Sequence, residues 1–230
     1  MTQGSSESKI PRFAVIPTKG NRRDNLDKLL RRLLSEDVRP IVVDTSWDPL
    51  TLTHFRELPG VAHTIPANNA VNIASWWNLG LNVAETYVRI LPPEIPFNGW
   101  DVAVINDDCL PPLGWFDAVS KAMRDNDCVA ACSGAHSVTY RHYPVPISHT
   151  MTGFAFMLRG ESGLSFDENM AWWYGDNEMC WYAAGHGGYI MINTHPVEHL
   201  HPNGQMTPEL QEQAARDRET FISKFGNAPW

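Results

Sequence analysis

The chain has 230 residues, of which 43% are hydrophobic and 19% are charged, so it carries enough apolar side chains for a sizeable buried core. With 17 prolines and 16 glycines, this composition excludes a disordered chain, a collagen-like repeat and a coiled coil. The net charge of −8 is opposite in sign to that of proteins that bind DNA or anionic membranes nonspecifically.

The cysteine content and the first residues bear on the cellular compartment of the protein. Four cysteines are too few for a disulfide scaffold at this length. The opening residues, MTQGSSESK, are polar and lack the apolar segment of a signal peptide. No apolar run approaches the length of a membrane-spanning helix. We therefore expect a cytoplasmic protein with reduced thiols and no membrane contact.

Strand and helix patterns alternate from the start of the chain. A short apolar run at 13–16 stops at Pro17, and leucines at 26, 29, 30, 33 and 34 then follow the period of an amphipathic helix. A second apolar run at 41–43 ends in Asp44, which completes a parallel β-α-β pattern. Further strands are predicted at 61–65, 101–105, 128–132, 149–159 and 189–193, and helices at 21–35, 72–91, 113–126, 176–184 and 207–225. The order predicts an α/β fold, Rossmann-like in its first half and more irregular afterwards.

Polar segments follow several predicted strands, and ligands of open α/β sheets bind at such carboxyl ends. Asn106, Asp107 and Asp108 come directly after the strand at 101–105. Adjacent carboxylates repel each other, and a divalent cation relieves that repulsion. A solvated acidic loop is the alternative, but the position at a strand end favours a metal site.

Two later segments also carry chemistry. Asp176 follows an aromatic run, Trp172, Trp173 and Tyr174. From spacing alone, Asp176 is best interpreted as a helix cap and the aromatic residues as core. His195, His199 and His201 lie within seven residues, yet no zinc-type spacing supports a structural zinc site. One histidine that completes a Mg²⁺ or Mn²⁺ site is the better interpretation.

A basic stretch follows the first strand in this otherwise acidic chain. Lys19, Arg22 and Arg23 lie where an anionic ligand would be placed, whereas Arg31 and Arg32 are expected on the solvated face of the helix.

In order along the chain, these segments resemble the GT-A glycosyltransferases, specifically the family 2-like group of small enzymes that use nucleotide-sugars. The resemblance runs over residues 13 to 226. It rests on FAVIPTKGNR, IVVDTS, NIASWWNLGLN, VAVINDDCLPPLGW, TGFAFMLRG, FDENMAWWYGDNEMCWYAAG and RDRETFISKFG. It implies a three-layer α/β/α domain with a mostly parallel mixed sheet.

The resemblance also implies a domain plan. Residues 1–10 would form a flexible tail and 11–230 a single glycosyltransferase domain. Within it, 11–112 would be the nucleotide-binding half, 113–206 the acceptor-side half and 207–230 the C-terminal helix.

On the donor side, the resemblance implies a site for a nucleotide-sugar, with a UDP-sugar favoured. Pro17 and Thr18 would border the nucleotide, and Asp44 would hydrogen-bond the base, usually uracil. Asn78 matches the helix motif beneath the nucleotide. Asp107 would lie near the ribose or the donor sugar.

For the metal and the acceptor, the resemblance implies a second set of roles. Asp108 would ligate Mn²⁺ or Mg²⁺, joined by His199 or His201, between which the sequence does not decide. Gly153 would lie in a strand on the acceptor side. Asp176 falls where the family carries its catalytic base, and that match reverses the capping interpretation above.

The implied reaction is direct displacement at the anomeric carbon by an acceptor hydroxyl, with inversion. Trp172, Trp173 and Tyr174 would then stack on a sugar. Gly175 stands where the family usually has Glu, which is the one feature that favours a catalytically silent carbohydrate- or protein-binding module. A sugar-nucleotide pyrophosphorylase is disfavoured, because PTKGNRRD contains a single glycine.

The acceptor stays open at this stage. A protein, a glycan or a modified nucleic-acid base would all suit a stand-alone enzyme of this size. The motifs encode neither the donor sugar nor the oligomeric state.

Overall fold

The structure, a computed structural model, describes residues 10–46, 63–66, 71–91, 99–200 and 207–228. The strands are β1 (Arg12–Thr18), β2 (Arg39–Asp44), β3 (His63–Pro66), β4 (Asp101–Ile105), β5 (Cys109–Leu110), β6 (Ala130–Ser133), β7 (Val138–Tyr140), β8 (Ala155–Arg159), β9 (Tyr189–Ile192) and β10 (Glu198–His199). The helices are α1 (Arg23–Ser35), α2 (Ile73–Arg89), α3 (Trp115–Asp125), α4 (Gly175–Gly185) and α5 (Pro208–Phe225).

Within the described residues, eight strands form one sheet in the order β3-β2-β1-β4-β8-β6-β9-β7. The first four run parallel, and β8 is antiparallel to both of its neighbours, β4 and β6. β9 is parallel to β6, and β7 is antiparallel to β9. The remaining two strands, β5 and β10, pair with each other in a separate ladder. The mixed, mostly parallel sheet is thereby confirmed.

Helices cover both faces of the sheet, which gives the three layers that were expected. The leucine stripe of α1 is buried with residues of α3 on one face. Residues of α2, α4 and α5 are buried together on the other. Each helix packs this way because its apolar residues recur on one side, where burial stabilises the fold.

Helix α2 lies unusually close to the central strand β1. A Cβ atom placed on Gly80 would lie 2.2 Å from Cγ1 of Val15, which is far inside van der Waals contact. Gly80 thus sets the distance between this helix and the strand whose end carries Thr18.

Most element boundaries differ from the sequence predictions by one to three residues, and one differs by more. The strand expected at 149–159 begins at Ala155, and a 3₁₀ turn occupies Ile147–His149. The short strands β5, β7 and β10 were not predicted. Each has two or three residues, too few to express a period in the sequence.

Some predictions fall on parts of the chain outside the described residues. These are residues 1–9 of the expected tail, the start of the strand at 61–65, and His201.

No helix among the described residues combines the length and the apolar character needed to cross a membrane.

Candidate active site

Three strand ends and one turn meet at the carboxyl edge of the sheet. Thr18 at the end of β1 is in register with Asp44 at the end of β2, and residues 106–108 follow β4 directly. β8 runs antiparallel to β4, so its beginning lies at the same edge, where Ala155 pairs with Ile105. The topology therefore brings the predicted donor and acceptor segments to one place.

Asp107 is tied to the first strand and to the loop that follows it. Thr18 Oγ1 donates a hydrogen bond of 2.7 Å to Asp107 Oδ2, and Arg22 Nη1 lies 3.1 Å from Oδ1. The backbone N–H of Gly20 donates to Thr18 Oγ1 at 3.0 Å and fixes that hydroxyl. Burial raises the pKa of Asp107, although the bonds from Thr18 and Arg22 oppose the shift.

Asp108 is the centre of the only cluster of metal-binding type found in the described part of the chain. Its Oδ1 lies 3.4 Å from Nε2 of His199 and 3.8 Å from Sγ of Cys109, and the three donor atoms fit within 4.8 Å. The pairing of β10 with β5 sets His199 opposite Cys109, and the N–H of Leu200 donates to the Asp108 carbonyl at 2.8 Å. Burial and the neighbouring Asp108 charge raise the pKa of the Cys109 thiol.

Asp44 is buried, with 1% of its surface exposed, and its two carboxylate oxygens differ in their hydrogen bonding. The N–H of Ser46 donates to Oδ1 at 2.7 Å, whereas Oδ2 is buried and has no hydrogen-bond partner among the described residues. Buried oxygens are nearly always paired, so this one is suited to a donor from a ligand. Pro17 pairs with Val43 in the adjoining strand and is buried beside it.

Asn78, which was expected beneath the nucleotide, makes its hydrogen bonds to the loop around residue 166. Its Nδ2 donates to the carbonyl of Phe166 at 2.9 Å and to Oε1 of Glu168 at 3.0 Å, and its Oδ1 accepts from the N–H of Phe166 at 2.8 Å. The amide thus fastens α2 to the loop around residue 166 and has its polar atoms engaged within the protein.

Asp176 is the second residue of α4 and lies directly against Gly153. A Cβ atom on Gly153 would lie 2.7 Å from Asp176 Oδ2, so only glycine leaves room for the carboxylate in this position. Burial raises the pKa of Asp176 to about 6, against the lowering effect of the backbone N–H groups of Asn177, Asp176 and Gly153. Gly153 itself lies in the turn before β8, whereas it was expected within a strand.

The next residue of that turn connects Asp176 with the acidic pair. The carbonyl of Phe154 accepts from the N–H of Asn106 at 2.9 Å. The Phe154 ring stacks on the ring of His199, with centroids 4.5 Å apart. Residues 153 and 154 therefore touch Asp176 on one side and the Asp108–His199 cluster on the other.

Two of the three predicted sugar-stacking residues reach the surface. Trp173 is 42% exposed, and Trp172 is partly buried with Lys19 Nζ 5.4 Å from its ring. Tyr174 differs from the prediction: it is 5% exposed and packs against Phe221 of α5. A buried ring offers no face to a sugar, so Tyr174 supports the loop instead.

The aromatic loop is held by a residue that the sequence did not single out. Asp217 of α5 is fully buried and accepts hydrogen bonds from the backbone N–H groups of Ala171, Trp172 and Trp173, at 3.1, 2.9 and 2.7 Å. Its partners lie 44 to 46 positions away in the chain, and no local motif marks such a contact. Arg22 was noticed for its charge, but its contact with the acidic pair also spans more than 80 residues.

Comparisons with known proteins bear on this arrangement. No family model and no curated protein matches the sequence. Among solved structures, S. aureus TarS 1-349 superposes with a TM-score of 0.55 at 11% identity, over 93% of this chain and 72% of that one. TarS is a GT-A-type, family 2-like glycosyltransferase. The fold of this chain is a GT-A fold.

Two TarS complexes match with similar coverage. TarS 1-349 with UDP gives a TM-score of 0.59 at 13% identity, over 95% of this chain and 66% of that one. The complex with UDP-GlcNAc gives 0.54 at 12% identity, over 95% and 67%. The chain spans 40% of a longer TarS chain. At such low identity the likeness establishes the GT-A fold and the place of its strands.

Proposed function

We propose that this GT-A protein is a metal-dependent glycosyltransferase that moves a sugar from a UDP-sugar to an acceptor hydroxyl with inversion. The observation that carries the proposal is the turn at Gly153 and Phe154. In this turn, Gly153 lies against Asp176, a carboxyl whose pKa is raised, and Phe154 stacks on His199 of the metal-binding cluster.

The nucleotide is assigned to the ends of β1 and β2. Oδ2 of Asp44, which has no partner among the described residues, suits the N–H of a pyrimidine base. Thr18 at the end of β1 is in register with Asp44 and would border the nucleotide. That TarS is known in complexes with UDP and UDP-GlcNAc supports a uridine donor in a fold of this kind.

The donor set fits a divalent metal ion. Asp108 and His199 supply a carboxylate oxygen and an imidazole nitrogen within reach of each other, and Asp107 adjoins them. Mn²⁺ accepts such oxygen and imidazole ligands, whereas a thiol such as Cys109 suits softer metals. A bound Mn²⁺ or Mg²⁺ would stabilise the negative charge of the departing diphosphate.

The chain's own residues would perform the proton transfer. Asp176 accepts the proton of the acceptor hydroxyl as its oxygen bonds to the anomeric carbon of the donor sugar. The bond between that carbon and the phosphate oxygen breaks, and its electron pair leaves with the nucleoside diphosphate. Because the attack comes from the opposite face, the configuration at this carbon inverts. Trp173, and Trp172 through its accessible part, would offer aromatic faces to the acceptor or donor sugar.

Thermal unfolding in the presence of UDP, GDP, dTDP or CMP, with and without Mn²⁺, tests the proposal. A ligand at one hundred times its Kd stabilises a fold by about 2.7 kcal/mol, which is readily visible. We expect the largest shift with UDP and Mn²⁺, and we expect Asp108→Ala to abolish it. Asp125→Ala, on the exposed surface of α3, is the matched control and should keep the shift.

A second measurement separates an enzyme from a binding module. Release of UDP from UDP-sugars is followed with candidate protein and glycan acceptors. Turnover that is lost in Asp176→Asn, with the UDP shift retained, supports the transferase. A UDP shift in a protein that turns over none of the UDP-sugars would contradict it and favour the binding module.

A further inference from the structure

The guanidinium of Arg22 lies between the two aspartates of the acidic pair. Its Nη1 is 3.1 Å from Oδ1 of Asp107 and 2.6 Å from Oδ2 of Asp108. One nitrogen thus contacts both carboxylates, and the single positive charge of the guanidinium offsets one of their two negative charges. A divalent ion held by Asp108 and His199 would take Oδ1 of Asp108, the other oxygen of the carboxylate that Arg22 contacts. Two positive charges that share one carboxylate repel each other.

Arg22 has room to leave the pair. The Arg22 side chain is 32% exposed, whereas those of Asp107 and Asp108 are 8% and 3% exposed. Arg22 also occupies the N-cap position of α1, and its side chain makes no capping bond to that helix. The aspartates are therefore the buried, fixed partners in these ion pairs, and the arginine is the partner that reaches solvent.

The start of α1, close to Arg22, is a place where an anion would bind and attract the guanidinium. The helix α1 has 13 residues and begins five residues after β1 ends, so the positive end of its dipole lies at the carboxyl edge of the sheet. Lys19 adds another positive charge in the same short loop. A diphosphate at this edge would offer Arg22 two or more anionic oxygens in exchange for the carboxylates.

We propose that Arg22 is an exchangeable cation that competes with the divalent metal ion for Asp107 and Asp108 and transfers to the diphosphate of the donor when the donor binds. This inference rests on the proposed function. Its consequence is that the metal ion and the nucleotide bind cooperatively, since each is favoured by the departure of the guanidinium. Cooperativity of this kind is reciprocal, so UDP must tighten Mn²⁺ binding by the same factor by which Mn²⁺ tightens UDP binding.

Titration of the free protein with Mn²⁺, followed by electron paramagnetic resonance or calorimetry and repeated with saturating UDP, tests this proposal without any turnover. We expect Arg22→Ala to bind Mn²⁺ alone at least tenfold more tightly than the wild type, because the competing cation has been removed. We also expect UDP to tighten Mn²⁺ binding severalfold less in Arg22→Ala than in the wild type. Arg22→Gln, which removes the charge but keeps a polar side chain, should behave like Arg22→Ala and replaces it if that variant is unstable.

Arg31→Ala is the matched control, since it removes an equal charge from an exposed side chain of α1 that was expected on the solvated face of this helix. Its Mn²⁺ affinity should stay within about twofold of the wild type, as expected for a screened surface charge. Equal Mn²⁺ affinities in Arg22→Ala and Arg31→Ala, or an undiminished effect of UDP in Arg22→Ala, would overturn the role of Arg22. Failure of the proposed function is different: wild-type protein would then bind neither UDP nor Mn²⁺ in each other's presence.

Discussion

Gly153 and Asp176 are in contact, although 22 residues separate the turn before β8 from the start of α4. The space that a Cβ atom would need on Gly153 is taken by the Asp176 carboxylate, at 2.7 Å from Oδ2. The glycine therefore gives the candidate base its position.

Gly153→Ala is expected to displace the Asp176 carboxylate and lower transfer at least tenfold, with UDP affinity unchanged. The methyl group cannot share this space, and a small displacement of a reacting group strongly reduces rates. The check is to measure the transfer rate and UDP binding on the same preparation. Gly175→Ala is the control, because its Cβ would come only within 3.4 Å of one atom of Trp77. Equal transfer rates in Gly153→Ala and Gly175→Ala would speak against the assigned contact.

The pH dependence of transfer should follow the ionisation of Asp176. A base works only when deprotonated, and burial raises the pKa of this carboxyl to about 6. The rate at limiting substrate is therefore expected to rise about tenfold per pH unit below this value and to level off above pH 7. A profile that is flat between pH 5 and 7 would assign the proton transfer to another group.

Asp176→Asn tests the same ionisation through stability. A carboxyl whose pKa is raised on folding stabilises the fold below its unfolded pKa, near 4, and loses that contribution as the pH rises through about 6. Asparagine does not ionise, so the variant does not lose stability in this way as the pH rises. The free energy of unfolding of the variant relative to the wild type should thus increase by up to about 3 kcal/mol between pH 4 and pH 8. Urea denaturation at both pH values measures it, and a constant difference would contradict the raised pKa.

The close approach of α2 to β1 predicts a steric conflict that a second change relieves. Gly80→Ala places a methyl group 2.2 Å from Cγ1 of Val15 and is expected to lower the free energy of unfolding by about 1–3 kcal/mol. Val15→Ala removes the opposing methyl groups. The double variant should accordingly be more stable than the sum of the two single changes predicts, which a double-mutant cycle by urea denaturation measures. If the two changes in the free energy of unfolding are strictly additive, the contact between residues 80 and 15 is not the source of the strain.

Loss of the carboxylate of Asp217 should release the aromatic loop. Asp217→Ala leaves three backbone N–H groups without their acceptor, and we expect a destabilisation of about 3 kcal/mol or more. Denaturation monitored by tryptophan fluorescence measures it, because Trp172 and Trp173 lie in the released segment. Glu219→Ala, on the exposed side of the same helix, should change stability by less than about 0.5 kcal/mol. Similar losses in both variants would mean that Asp217 has no special part in holding the loop.

The sequence by itself determined the helices and strands whose apolar residues follow a regular pattern or stop at a clear boundary. The leucine period predicted α1, the run DVAVI predicted β4 at its observed bounds, and the helix expected at 207–225 corresponds to α5. These signals are local, because helix period, strand alternation and capping are properties of neighbouring residues. The polar residues after the strands could be recognised as candidate ligand-binding residues because ligands of open α/β sheets bind at the carboxyl ends of the strands.

Only the tertiary structure decided which side chains meet. These contacts join residues 44 to 91 positions apart: Arg22 with Asp107 and Asp108, His199 with Asp108 and Phe154, and Asp217 with residues 171–173. The positions of Tyr174 and Asn78 likewise depend on contacts with distant segments: Tyr174 packs against Phe221, and Asn78 bonds to Phe166. Such contacts form because the sheet brings the ends of distant strands together, and each buried polar group then bonds to whichever partner lies within reach. The spacing of residues along the chain does not show which partner that is.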